Sequence, residues 1–207
     1  KLKLAVSPAQ RALGVDLERV AALRSAIGAP GRIRLDANEA WSRTEAESAL
    51  ARLSPVGIEF IEQPVPRRQL DDLGDLDRAG PIPIAADEAL LGGGLEACLS
   101  RRSAGIFVVK QAVLGGIPPT LELAARAGDA GIRIVFSNLI EGRVGRETAI
   151  ALAAGLAAVV GAPRTTSPQW RGSRVRIGEG ARVRWVQGRE APLTARLTLR
   201  CRATVRF

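Results

Sequence analysis

Five ionisable residues recur at a near-constant interval: Lys3, Asp36, Glu62, Asp87 and Lys110, separated by 33, 26, 25 and 23 residues. Each stands at or near the C-terminal end of a short apolar run. The chain has no His, and its two cysteines, Cys98 and Cys201, are 103 positions apart without a CxxC pair. Three carboxylates brought together in this setting form a hard, oxygen-only donor set, suited to Mg2+ and poorly suited to zinc. Without a cation the three anions would repel one another and raise their own pKa values. A lysine close to a divalent cation can act as a base near neutral pH. Metal and lysine together fit removal of a proton next to a carboxylate, because the cation stabilises the charge that develops. Taken singly, each residue has a plainer reading. One Asp or Glu at a strand end is usually a helix cap, a turn residue or a surface ion pair. Lys110 is less plain, since a lysine directly after Phe107-Val108-Val109 needs a partner or water. Five such residues at one spacing favour a shared site.

The elements that must position them follow one rhythm. Short β-rich runs at 1–4, 32–36, 58–62, 82–87, 106–110 and 132–137 alternate with helix-like stretches near 16–27, 43–53, 67–78, 93–102, 118–130 and 144–159. Ser42 and Thr44 are N-cap candidates with Glu45 and Glu47 in the first turn, Pro118-Pro119 opens another helix, and Gly28, Gly80 and Gly131 punctuate ends. Strands alternating with helices predict an α/β fold of βα units around a parallel sheet. The period of about 25 residues is one unit of an eight-fold βα barrel, and a doubly wound sheet is the competing architecture. In a barrel, all five ionisable residues fall at the C-terminal mouth, where such enzymes do their chemistry. Alternation puts Arg34, Asp36 and Asn38 on one strand face, Lys1 with Lys3, and Phe60 with Glu62.

Charge divides the 207 residues in two. Residues 1–163 hold 19 Lys and Arg against 19 Asp and Glu, whereas 164–207 hold 11 Arg against Glu179 and Glu190, which accounts for the whole net charge of +9. We therefore expect a partial barrel domain over 1–163 and a separate basic tail over 164–207. Arginines interleaved with Val, Leu, Thr and Gly show no helical face. They could form a strand with one charged face, or they could be a non-native ending such as a shifted reading frame of a GC-rich gene. A nucleic-acid-binding arm is a further alternative, whose affinity would fall steeply with salt and vanish on deleting 164–207. No run of 18 apolar residues predicts a membrane helix and no secretory signal opens the chain, so a reduced, cytoplasmic setting is expected. The chain lacks Met, and Lys1 is not a natural start, so it is expected to be a piece of a longer protein.

The residues carry a family resemblance. Lys1-Leu2-Lys3 resembles the KxK strand of the enolase superfamily, in its muconate-lactonizing group. Arg34-Leu35-Asp36-Ala37-Asn38 is similar to its RxDxN strand, Ile58 to Pro64 to its IEQP strand, and Ala86-Asp87-Glu88 to the next ligand strand. Val109-Lys110, followed by Gly115-Gly116, resembles the second lysine strand. With Phe136 to Gly142 added, the likeness covers residues 1 to about 160 in order and is greatest to the o-succinylbenzoate synthases of menaquinone biosynthesis. The resemblance implies a TIM-type barrel and a Mg2+-dependent lyase. It implies Asp36, Glu62 and Asp87 as metal ligands and Lys3 as general base, then acid for the departing hydroxyl. Lys110 would support the developing charge, Arg34 and Asn38 would hold Asp36 and the bases in place, and Ser137 and Asn138 would bind a substrate carboxylate. The partner implied is a small-molecule carboxylate, with neither membrane nor nucleic acid.

The departures are also plain. The family's capping domain, its first barrel strand and its final strand are not recognisable, leaving about six βα units, an incomplete barrel with an irregular Arg-rich tail. As written, the chain is expected to be weak or inactive. Dipeptide epimerase, N-acylamino-acid racemase and muconate cycloisomerase share the ligand and lysine strands and are the competing activities. Cys98 is expected to pack as a small apolar group and Trp41 at a strand-to-helix turn.

Overall fold

The structure is a computed structural model and describes residues 1–4, 13–160, 196–198 and 204–206. The expected boundary at 163 and residues 164–195 of the expected tail lie outside the described residues. The chain divides into two compact units, Lys1–Val108 with Ala130–Ile132, and Val109–Asp129 with the residues from Arg133 onward. Each is described by itself.

In the first unit β1 (Leu2–Lys3), α1 (Leu13–Ile27), β2 (Ile33–Asp36), α2 (Arg43–Leu53), β3 (Ile58–Glu62), α3 (Leu70–Ala79), β4 (Ile84–Ala86), α4 (Gly94–Arg101) and the start of β5 (Ile106–Lys110) follow in turn. The strands are parallel neighbours in chain order, β1-β2-β3-β4-β5. That order decides between the two architectures expected from the sequence. A doubly wound sheet reverses direction at a switch point, whereas a βα barrel adds each strand beside the last. Most apolar strand residues are buried, with Leu35, Phe60, Ile61, Ile84, Ile106 and Phe107 at 1% exposure or less, while Leu2 and Ile58 are half-buried. Parallel strands covered on both faces need this near-continuous apolar run. α2 presents Ala46, Ala49, Leu50 and Leu53 to the core at helical spacing.

Hydrogen bonding explains two of the boundaries that depart from the sequence expectation. β4 was expected over 82–87 and runs Ile84–Ala86. Pro81 and Pro83 have no N–H to offer a ladder, and the Asp87 N–H is taken by the Gln63 side chain at 3.0 Å. α3 was expected from 67 and begins at Leu70. The Arg67 N–H donates to Glu39 Oε1 at 2.6 Å and the Gln69 N–H closes a turn on Pro66. Gly28, at φ +70, ends α1 in the left-handed region. At Gly80 a Cβ would lie 2.4 Å from the Leu76 carbonyl oxygen, so only glycine lets the chain leave α3 there.

Ser42 caps α2 in a reciprocal box: its hydroxyl accepts from the Glu45 N–H, and the Glu45 carboxylate accepts from the Ser42 N–H at 2.7 Å. Ser42→Ala is expected to cost about 1 kcal/mol, read as a lower urea midpoint with an unchanged slope.

In the second unit the end of β5 leads through α5 (Ile117–Asp129) to β6 (Arg133–Ser137), the next strand in the order, and then to α6 (Arg143–Val160). Farther along, β7 (Arg196–Thr198) pairs antiparallel with β8 (Thr204–Arg206). No helix among the described residues is long and apolar enough to cross a membrane.

Candidate active site

A register shift creates the site's central pair. Ile33 of β2 lies opposite Ile58 of β3, but Arg34 lies opposite Phe60, so Glu59 is an extra residue on β3. The slip carries Asp36 into line with Glu62 instead of Ile61. Because side chains alternate, one residue of register decides which face a strand-end group joins. Glu59 is held in the shift by Arg34, whose Nε donates to Glu59 Oε2 at 2.8 Å and Nη2 to Oε1 at 3.3 Å. The Arg34 guanidinium also lies 5.1 Å from the centre of the Phe60 ring. On the other side of β2, Lys3 is the register partner of Asp36. Lys3, Asp36 and Glu62 thus end three adjacent parallel strands at the same level.

Side chains from these ends meet. Asp36 and Glu62 are each 2% exposed. The Lys1 ammonium lies between them, 2.9 Å from Asp36 Oδ2 and 2.6 Å from Glu62 Oε1. Lys3 Nζ is 3.5 Å from the same Asp36 oxygen and donates to Asn38 Oδ1 at 3.0 Å. Asn38 in turn donates its backbone N–H to Asp36 Oδ1 at 3.1 Å. Lys3 is the open member of the cluster, its side chain 57% exposed against 15% for Lys1.

Electrostatics follow from burial. Burial pushes the Glu62 carboxyl up to about 8; Lys1 pulls it back, while the negative charges of Asp36 and Asp87 add to the rise. Burial also works against the Lys1 ammonium, but Glu62 and Asp36 outweigh it and hold Lys1 above the usual lysine value. Glu88 is raised as well, first by burial and then by the charge of Asp87. The strand mouth is therefore short of positive charge even with Lys1 in place.

Asp87 sits just past β4, 4% exposed. Its backbone is fixed by Gln63, a fully buried side chain whose Oε1 accepts from the Asp87 and Ala89 N–H groups at 3.0 Å each and whose Nε2 donates to the Val65 carbonyl at 2.9 Å. Three of the four non-glycine residues with positive φ among the described residues gather here: Asn38 at +48, Glu39 at +62 and Gln63 at +40. Such conformations cost free energy and concentrate where surrounding structure holds them for function. Glu39 is clamped by Arg67, whose Nη2 lies 2.6 Å from Glu39 Oε2.

Mg2+ suits this donor set in chemistry: all candidate ligands are carboxylates, and a cationic group already bridges Asp36 and Glu62. Among the described residues no three His, Cys, Asp or Glu side chains are gathered closely enough to hold a metal as they stand. The gathered pair is Asp36 and Glu62, closed on Lys1. Lys110, Ser137 and Asn138 belong to the second unit. Lys110 ends β5, and its carbonyl accepts from the Val113 and Leu114 N–H groups. Ser137 ends β6 and is buried, while Asn138 Nδ2 donates to the Leu139 carbonyl at 2.9 Å.

The pattern that defines the family described as Enolase C-terminal domain-like matches residues 1–186 of this sequence. The chain belongs to that family. Muconate cycloisomerase 1-2 of Acinetobacter lwoffii is 37% identical over 136 residues, covering 65% of this chain and 35% of the relative. o-Succinylbenzoate synthase of Thermobifida fusca is 36% identical over 144 residues, covering 68% of this chain and 43% of the relative. Among solved structures, dipeptide epimerase from Enterococcus faecalis V583 superposes with a TM-score of 0.69 at 28% identity, over 80% of this chain and 46% of that one. The chain thus spans less than half the length of these relatives. As an enolase-superfamily chain it has the incomplete TIM-type barrel fold, and these relatives are lyases and isomerases.

The sequence reading undervalued three residues. Lys1, expected to share a face with Lys3 in the KxK-like strand but given no role there, bridges Asp36 and Glu62; the alternation that pairs it with Lys3 is the available signal. Gln63 and Glu88 lie within the Ile58–Pro64 and Ala86–Glu88 runs, where the resemblance assigns them no role. Their neighbours in sequence, Glu62 and Asp87, are strand-end carboxylates, but only coordinates show where an amide or a second carboxylate turns. Cys98 is buried in α4 with Sγ 3.4 Å from the Ala89 carbonyl, and Trp41 is buried in the turn before α2.

Proposed function

We propose that this chain carries the proton-abstracting machinery of a Mg2+-dependent carbon–oxygen lyase, an o-succinylbenzoate synthase, acting on a small carboxylate in the cytoplasm. The observation that carries this reading is the meeting of Lys3, Asp36 and Glu62 at the ends of three adjacent strands, with Asp87 close enough to raise Glu62. Asp36, Glu62 and Asp87 would hold the ion, which when bound would stabilise the negative charge developing on the substrate carboxylate. Lys3, the exposed amine of the cluster, takes the α-proton and returns it to the departing hydroxyl, so that water leaves and the amine is regenerated. Asn38 holds Lys3 and Asp36 in register through opposite ends of one residue. Lys110 as the supporting charge, and Ser137 and Asn138 as carboxylate binders, rest on the family resemblance.

Muconate cycloisomerase is the second reading, favoured by the 37% identity over 136 residues. Formation of o-succinylbenzoate from its hydrated, non-aromatic precursor, followed by the absorbance of the new ring, separates the two. It is run beside muconate lactonisation and dipeptide epimerisation, with calorimetric binding of o-succinylbenzoate, muconate and a dipeptide in the presence of Mg2+. Weak Mg2+-dependent ring formation with preferential binding of o-succinylbenzoate is expected of this partial chain. Faster muconate turnover, or tighter muconate binding, would replace this reading with the second.

A pH effect follows from the raised Glu62. The unfolded carboxyl ionises near 4.5 and the folded one near 8. The metal-free fold therefore binds the extra proton and loses stability as pH rises from about 4.5 through about 8. Ligation by Mg2+ requires the carboxylate, so binding near pH 7 is expected to release a proton. Calorimetry in buffers of different ionisation heat measures it; an apparent enthalpy independent of buffer would contradict the assignment of Glu62.

A further inference from the structure

Glu88 has no part in the steps above. It follows Asp87 on the short 3-10 turn Glu88–Leu90 and is half-buried. Its Oε1 accepts from Asn38 Nδ2 at 3.3 Å, while its Oε2 is buried without a hydrogen-bond partner. A buried acceptor left unpaired costs free energy, so a carboxylate retained in such a place calls for an explanation. At its other end the same Asn38 amide accepts with Oδ1 from Lys3 Nζ at 3.0 Å.

An Asn amide has two ends of nearly one shape and opposite chemistry. An ammonium can only donate, and a carboxylate oxygen accepts. One orientation satisfies both neighbours: oxygen towards Lys3, nitrogen towards Glu88. Turned over, the amide would aim N–H groups at an ammonium and an oxygen at a carboxylate, two repulsive contacts replacing two attractive ones. Lys3 alone imposes the choice weakly, because Asp36 Oδ2 at 3.5 Å offers its ammonium another acceptor. The Asn38 backbone is already fixed by its bond to Asp36 and its left-handed φ of +48, so the amide end is the remaining freedom.

We propose that Glu88 is a positioning residue that fixes the orientation of the Asn38 amide and, through the amide oxygen, the place of Lys3 Nζ. The inference deepens the proposed function, in which Lys3 is the base, but the amide orientation stands apart from that role. Removing Glu88 leaves both orientations open, and Lys3 loses its nearer acceptor for part of the time.

The chain holds two Asn and three Lys, so the 207-residue chain labelled with 15N at asparagine side chains and 13C at lysine Cε gives two carboxamide and three methylene signals. In Glu88→Leu the Asn38 carboxamide pair and the Lys3 signal are expected to shift, while Asn138, Lys1 and Lys110 keep theirs. Glu88→Gln, whose oxygen still accepts but whose nitrogen also donates, is expected to show two Asn38 carboxamide signals, one for each orientation. Unchanged Asn38 and Lys3 signals in Glu88→Leu would overturn the proposal, as would movement of all five together, the mark of a general packing role. If Glu88→Leu does not fold, Glu88→Gln decides: a single, unshifted Asn38 pair overturns it. No substrate or metal is present in this experiment, so its outcome is separate from whether Lys3 removes a proton.

Discussion

Lys3→Ala is expected to slow proton removal by about 10²- to 10⁴-fold, the usual contribution of a positioned general base. Lys3 ends β1 beside Asp36, keeps 57% of its side chain exposed, and holds a defined partner in Asn38. A group used only in the transition state lowers kcat and leaves KM near its original value. Lys3→Arg separates charge from base, since guanidinium keeps the charge but does not deprotonate in this pH range. Both variants are therefore expected to fail in exchange of the substrate α-hydrogen with deuterated solvent, followed by NMR, while retaining Mg2+ affinity within a few-fold. Recovery of exchange in Lys3→Arg would assign Lys3 an electrostatic role instead.

Asp36→Asn is expected to weaken Mg2+ binding by more than about 100-fold. Losing a group that merely orients a metal ligand typically costs about 10- to 100-fold, and a ligand should cost more. Asp36 is 2% exposed and shares one cation with Glu62, so its charge acts in surroundings that screen it poorly. Isosteric Asn keeps the acceptor for the Asn38 N–H and removes the charge, so the fold is expected to survive. Titration calorimetry on the metal-free protein measures the effect; affinity within threefold of the parent would remove Asp36 from the ligand set.

The alternation of strand and helix was legible because parallel strands buried on both faces must be apolar, and the ionisable residues at their ends stand out against that background. Lys3, Asp36 and Glu62 were found this way, and the structure puts them on adjacent strands. The register shift at Glu59 was not legible. A count of alternate positions from Ile33 and Ile58 sets Asp36 against Ile61, and only the pairing of Arg34 with Glu59 inserts the extra residue. The proton-poor start of β4 was written in Pro81 and Pro83, but the capture of the Asp87 N–H by Gln63 depends on a side chain turning back at φ +40. The role of Glu88 was hidden for a related reason. Its partner Asn38 lies 50 residues away, and no spacing rule joins the turn after β2 to the turn after β4.

The account depends on three carboxylates taking one ion. A crystal structure of the protein grown with Mg2+ tests this most directly. It is predicted to show one oxygen each from Asp36, Glu62 and Asp87 at about 2.0–2.1 Å from a single ion, with the Lys1 ammonium withdrawn from between the first two. An ion held without Asp87, or Lys1 still closing Asp36 onto Glu62 at saturating Mg2+, would contradict it.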